Sequence, residues 1–197
     1  MNKYKEQLEF LKDFSNIDEF FTKISLYKDL LKKFNAVHNL THLNDIDENI
    51  IDSIKILDFY NLNDFKKIID IGSGAGFPAV FLACILQESK FFLFEPSAKK
   101  ASFLRVVKTE LDLKNVNIIK EKIENYPSFK VDLITSRALM DIKPLVKISG
   151  GFYDDKTLFL LYKGSEVYKE LEDLKDYRIF NQGFRNYCLL KIKEKLC

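Results

Sequence analysis

Nine residues, Asp70-Ile71-Gly72-Ser73-Gly74-Ala75-Gly76-Phe77-Pro78, leave this chain few folds to choose from. Ahead of the glycines, Ile68, Ile69 and Ile71 read as a buried parallel strand; after them an apolar stretch reads as helix. Glycines at alternate positions let the backbone turn sharply and approach a ligand with no Cβ in the way. Spacing selects the ligand. A dinucleotide fingerprint G-x-G-x-x-G started at Gly72 needs its last glycine where Phe77 stands. Here the third glycine falls at Gly76, giving acid-x-G-x-G-x-G, the form associated with S-adenosylmethionine (SAM). Glu95 ends the next strand about 20 residues on, where a carboxylate accepts hydrogen bonds from both ribose hydroxyls. A plain tight turn with a strand-end surface acid, and an NAD site, are the competing readings.

Beyond the loop, helix-like and strand-like segments alternate. Helices are expected at 76–86, 98–112, 140–149 and 165–175, and strands at 67–71, 90–95, 116–120, 131–135 and 157–162. Two further strands, near 177–180 and 184–192, flank Asn181-Gln182-Gly183, a hairpin signal that makes one of them antiparallel at the edge. This predicts an α/β, Rossmann-like class I methyltransferase sheet with helices on both faces. Residues 1–62 read as a small N-terminal helical extension packed on the core, and 63–197 as the SAM-dependent domain. In the extension, apolar residues from Leu8 to Phe14 and from Phe20 to Phe34 recur at helical steps. Ser15-Asn16 offers an N-cap between them, and a third helix covers 46–60.

Composition bounds the function classes. The 197 residues suit one α/β domain with an extension, and 47% apolar and 30% charged residues are ordinary for a globular protein. Cys84, Cys188 and Cys197 lack metal or disulfide spacing, so reduced thiols in the cytoplasm are expected and no metal is called for. No window approaches a membrane span, and a monomer is expected. The net charge of +2 argues nothing, but from Lys99 to Lys122 seven basic residues face three acids. That excess reads either as a solvated helix face or as a phosphate-contacting rim.

Acceptor chemistry follows from the residue types at the strand ends. Methylating carbon-5 of cytosine needs a nucleophilic cysteine, and exocyclic adenine nitrogens are served by an Asn/Asp-Pro-Pro-aromatic loop. After Thr135 this chain has Ser136-Arg137-Ala138-Leu139 instead. Guanine N7 carries a free lone pair and no proton, so it needs no general base. His38 and His42 read as polar loop residues.

Several blocks together resemble the RsmG (GidB) methyltransferases, which modify guanine N7 in bacterial small-subunit ribosomal RNA. They are Phe34-Asn35, Asn39-Leu40-Thr41, Ile51-Asp52-Ser53, Asp70–Pro78, Ser97–Val107, Leu111–Val116, Glu124, Ser136-Arg137-Ala138 and Tyr162-Lys163-Gly164. The resemblance covers roughly residues 25 to 165 and implies SAM contacts at Gly72, Phe77, Ile123, Glu124 and Arg137, with Glu95 at the ribose and Asp70, Gly74 and Gly76 completing the loop. Arg137 and Lys163 become the candidate catalytic pair. A fixed cation at Arg137 holds the methionine carboxylate of SAM, positions a phosphate, or orients guanine by its acceptor edge. Lys99, Lys100 and Arg105 then read as an RNA rim, and the partner as 16S ribosomal RNA or an assembling small subunit. The chain departs from the family pattern at Asn49, where a His is usual, at Ala79 and at Glu95. Two rival functions stay open: a small-molecule SAM-dependent methyltransferase, and a non-catalytic RNA-binding assembly factor.

Overall fold

A computed structural model describes residues 8–12, 14, 17–41 and 45–193. Its seven strands are β1 (Lys67–Ile71), β2 (Lys90–Phe94), β3 (Val116–Ile119), β4 (Leu133–Arg137), β5 (Leu158–Lys163), β6 (Tyr177–Gln182) and β7 (Arg185–Lys191). They form one sheet in the order β3-β2-β1-β4-β5-β7-β6. The first five strands are parallel; β7 runs antiparallel to both β5 and β6. Both C-terminal strands are therefore placed by the hairpin at Gly183, with β6 on the edge.

The helices are α1 (Ile17–His38), α2 (Ile46–Ile54), α3 (Ile56–Phe59), α4 (Ala79–Ile85), α5 (Ala98–Glu110), α6 (Ile142–Ile148) and α7 (Val167–Glu170). Short 3-10 turns cover Glu9–Leu11 and Ile123–Asn125. Helix α2 starts where the Asp45 carboxylate accepts from the Glu48 amide at 2.9 Å, with Asp47 and Glu48 favourably placed in its first turn. Every residue of α4 is buried. A helix that is apolar all round needs cover on both sides, and the sheet covers one side of α4 while α1 and α2 cover the other.

Alternate strand residues feed two cores. Ile68, Phe91, Leu133, Leu160 and Tyr187 pack with α1, α2, α4 and α5. Ile69, Ile71, Phe94, Ile134 and Phe159 pack with α6 and α7 on the other face. Asp70 and Thr135 lie in register on the first face, toward α1 and α2, and Arg137 and Tyr162 are paired one step further along the same face.

Several expected bounds shift, each for a local reason. The 46–60 helix breaks at Lys55 into α2 and α3, and the apolar spacing around Leu8–Phe14 yields only a 3-10 turn. The Ser15-Asn16 cap lies outside the described residues. The helix expected at 76–86 starts later, at Ala79, because Gly76 to Pro78 still belong to the turn. The 131–135 strand moves to 133–137. Asp132 spends its carboxylate on the Lys66 and Lys67 amides, both at 2.8 Å, while Thr135, Ser136 and Arg137 pair with β5. The 165–175 helix shrinks to α7, although Val167, Leu171 and Leu174 within that span are all buried.

Candidate active site

Strand order reverses between β1 and β4, so the crevice beyond their carboxyl ends is where such a sheet receives a ligand. The glycine loop forms one wall. Gly72, Gly74 and Gly76 hold φ values of 74°, 57° and 104°, but for different ends. A Cβ on Gly76 would lie 2.5 Å from Val80 Cγ2, so this glycine lets α4 pack closely. A Cβ on Gly74 would meet only the Gly72 carbonyl oxygen, at 3.8 Å, and otherwise project into open space. The loop is stitched to β2: the Gly72 and Ser73 amides donate to the Phe94 carbonyl at 2.9 and 3.1 Å. Buried Glu95 accepts from the Gly74 amide and, through its other oxygen, from the Ser97 amide, each at 2.8 Å.

Asp70 lies beneath the loop, 1% exposed. One carboxylate oxygen accepts from Thr135 Oγ1 at 2.7 Å. The other is the one buried side-chain polar atom among the described residues without a hydrogen-bond partner. Burial pushes the Asp70 carboxyl up to about 6, against the opposing pull of its hydrogen bonds and of Arg137. An unspent buried acceptor suits a cationic ligand group, and SAM carries an ammonium and a sulfonium. Beside the loop a cavity of about 180 Å³ opens between Ile71, Gly72, Phe94, Pro96, Ile123, Glu124, Leu139 and Met140. Its walls are mostly apolar, as a purine ring requires. Ile123 is buried, whereas Glu124 is exposed.

The opposite wall is cationic. The Arg137 side chain, 8% exposed, donates to Asp52 Oδ2 at 3.0 Å and to Asn49 through its carbonyl and side-chain oxygens. Its guanidinium lies 5.0 Å from the centroid of the Phe77 ring. Burial pulls the Arg137 pKa below its usual value, while the Asp52 carboxylate pushes it back up. Asp52 also accepts from Arg185 Nε at 2.9 and 3.1 Å and from Tyr187 Oη at 3.1 Å. Tyr162 Oη donates to the Ser53 carbonyl at 2.6 Å. Helix α2 is thus fastened to the ends of three strands. Lys163 Nζ reaches Glu170 Oε2 at 2.6 Å and the Met140 carbonyl at 2.8 Å. Glu170 Oε2 also accepts from the Ile142 amide at 2.8 Å, so Lys163 pins the loop after β4 against α7.

The structure brings Asp70, Gly72, Gly74, Glu95, Ile123 and Glu124 around one side of the crevice. Gly76 and Phe77 lie behind the loop, with Phe77 turned toward Arg137 and α1. Lys99 donates from α5 to the His38 carbonyl at 2.9 Å, closing the end of α1. Lys100 is half-buried and Arg105 is exposed on the same helix. His38 is exposed, and His42 lies outside the described residues. Sequence reasoning missed Asp52, Arg185 and Tyr187 as members of the site. The Ile51-Asp52-Ser53 block was a signal for the first; nothing in the sequence singles out Arg185. Cys84 and Cys188 are buried, with burial pushing each thiol up to about 12. Neither is a nucleophile at neutral pH, and Cys197 lies outside the described residues. Among the described residues no group of three or more His, Cys, Asp or Glu is placed to hold a metal, and no helix is long and apolar enough to cross a membrane.

A family model described as rRNA small subunit methyltransferase G (GidB) matches residues 21–195. The ribosomal RNA small subunit methyltransferase G of Campylobacter jejuni subsp. jejuni serotype O:23/36 (strain 81-176) is 58% identical over 184 residues, 93% of this chain and 97% of that protein. The protein of the same name from Helicobacter pylori (strain HPAG1) is 44% identical over 175 residues, 87% and 96% of the two chains. Among solved structures, a SAM-dependent methyltransferase from Aquifex aeolicus superposes with a TM-score of 0.62 at 17% identity, covering 81% of this chain and 97% of that one. A SAM-dependent O-methyltransferase from Thermotoga maritima gives 0.60 at 16% identity, covering 83% and 71%. At these identities the two structures speak for the fold.

Proposed function

The chain belongs to the rRNA small subunit methyltransferase G (GidB) family, and on that premise we propose that it methylates N7 of a guanine in 16S ribosomal RNA. It is a SAM-dependent methyltransferase. The observation that carries the choice of acceptor is the chemistry of the strand ends. Arg137, Lys163 and Arg185 gather there, while both described thiols are buried and protonated. Such a wall offers neither an attacking nucleophile nor a base, and the N7 lone pair requires neither.

SAM supplies an electrophilic methyl group, whose carbon–sulfur bond breaks as the N7 lone pair takes the carbon. What remains for the protein is alignment, worth up to roughly 7–11 kcal/mol in such reactions. Asp70 offers its unspent oxygen to a cationic group. Glu95 keeps lone pairs for ribose hydroxyls, and the slot beside Ile123 and Glu124 takes the adenine. Arg137 has an Nε–H left over from its bonds to Asp52 and Asn49, and it orients the guanine by O6 or holds a phosphate. Lys163 sets the loop that covers the acceptor, and Lys99, Lys100 and Arg105 form the RNA rim. In this reading residues 1–62 are an extension serving the catalytic region 63–197, and the enzyme works as a monomer in the cytoplasm on 16S RNA or an assembling small subunit.

Mass spectrometry of 16S RNA fragments from cells with and without the gene tests the proposal. One 7-methylguanine should disappear on deletion and return when purified protein and SAM are added to the undermodified RNA. Full 7-methylguanine in the deletion strain would overturn it. SAM binding without transfer to RNA would favour an assembly factor.

A further inference from the structure

A backbone carrying three positive-φ glycines in five residues keeps its shape only when its surroundings hold it. Four amides of this loop are held from within the domain: Gly72 and Ser73 by the Phe94 carbonyl, Gly74 by Glu95, and Gly76 by the Ser73 carbonyl at 2.7 Å. One carbonyl is held from outside. Tyr27, on α1, donates its hydroxyl to the Ala75 carbonyl at 2.6 Å across 48 residues of sequence. We propose that Tyr27 is a positioning residue for SAM, holding the cofactor loop in its binding shape and tying the order of α1 to cofactor occupancy.

The hydroxyl has nowhere else to turn. Tyr27 is 0% exposed, and its ring is wedged edge-on against Phe77, Phe81 and Phe103 at 5.8, 4.8 and 5.9 Å. Packing alone would be served by phenylalanine, since the neighbours are aromatic. The oxygen is the group that requires explanation in so apolar a setting. Burial also drives the phenol pKa well up, so the group stays a donor at any working pH. Its acceptor sits between Gly74, which faces the crevice, and Phe77, whose ring lies under Arg137. Loss of this bond frees the segment that joins the two walls of the site.

Coupling between sites is reciprocal. If Tyr27 favours the binding shape of the loop, bound SAM must in turn steady α1. The proposal rests on SAM occupying the glycine loop, and the experiment separates the two ideas. In the full chain, Tyr27→Phe should raise the SAM Kd by about tenfold in calorimetry, as loss of one buried hydrogen bond allows. KM for SAM should rise with it, while kcat at saturating SAM and KM for RNA stay within about twofold. Phe103→Leu softens the same aromatic cluster without touching the hydroxyl; it should lower Tm and leave SAM affinity unchanged. In the unaltered protein, SAM should slow hydrogen exchange at the α1 amides around Ile24 to Leu31, a readout that stands even if a variant folds poorly. Unchanged SAM affinity in Tyr27→Phe, equal weakening in both variants, or exchange in α1 indifferent to SAM would each overturn the proposal. Failure of the unaltered protein to bind SAM would remove the cofactor assignment and this inference together.

Discussion

The two walls of the crevice are built on opposite plans. The cofactor wall is local: Asp70, the glycines, Glu95 and Ser97 fall within one β-loop-α-β stretch, and the Gly74–Glu95 bond spans 21 residues. The acceptor wall exists only in the folded chain. Arg137 and Asp52 are 85 residues apart, Arg185 and Asp52 133, and Tyr162 and Ser53 109. Their electrostatics differ as well. The cofactor wall keeps a buried carboxylate oxygen unspent, whereas the acceptor wall has committed Asp52 to two guanidinium groups and Glu170 to Lys163. One wall waits for a ligand to complete it. The other is completed by the protein itself.

This difference sets how each wall should break. The largest effect belongs to Asp52→Ala, which leaves Arg137 and Arg185 buried without their counter-charge. Denaturant unfolding should show a loss of about 3–5 kcal/mol. Arg137→Ala should lose transfer activity while keeping the fold, since Asp52 still has Arg185; equal destabilisation by the two variants would dissolve the idea of a shared acid. Next comes Gly74→Val on the cofactor wall. A side chain at φ 57° facing the crevice should weaken SAM binding by about 100-fold or more, with a smaller loss of about 1–3 kcal/mol in unfolding free energy from the strained backbone. Retained SAM affinity would show that the glycines shape the turn and do not face the ligand.

Asp70 sharpens the contrast through pH. Its folded pKa of about 6 lies above the reference of 3.8. Its stabilising contribution is therefore full below pH 3.8 and is lost as pH rises through 6, by about 3 kcal/mol at most in the ligand-free protein. A bound cation reverses the preference, so SAM should bind about tenfold more tightly at pH 7 than at pH 5. Asp70→Asn should flatten that profile, and a flat profile in the unaltered protein would count against Asp70 facing a cation. The smallest effect should come from the rim. Replacing Lys100 and Arg105 together by Ala should raise KM for RNA only a few-fold and reduce its salt dependence, leaving SAM affinity untouched. An unchanged salt slope would leave those side chains as solvated surface.

The same contrast explains what the residues revealed before folding. The loop, its acid, Glu95 and the alternation of strands and helices are encoded by neighbours a few positions apart, so spacing alone exposes them. Arg185 sits at a hairpin tip with no local pattern, and only the antiparallel return of β7 beside β5 carries it to Asp52. Asn49 shows a subtler limit. In sequence it is only a departure from a usual His, whereas in the fold its side-chain oxygen accepts from Arg137. The strand expected to end at Thr135 runs on through Ser136 and Arg137; once buried, the Thr135 and Ser136 hydroxyls bond to Asp70 and the Ile71 carbonyl.

Helix α4 carries a consequence for divisibility. It has no face that tolerates water, and α1 and α2 supply its outer cover. A fragment beginning near residue 63 would retain the glycine loop and the strand ends, yet it would strip Tyr27 from Phe77 and Phe81 and strand the Ala75 carbonyl. The change of pattern near residue 63 is legible in the sequence. It is no seam along which the chain could be cut, and the helices ahead of the glycine loop are inherited with it or not at all.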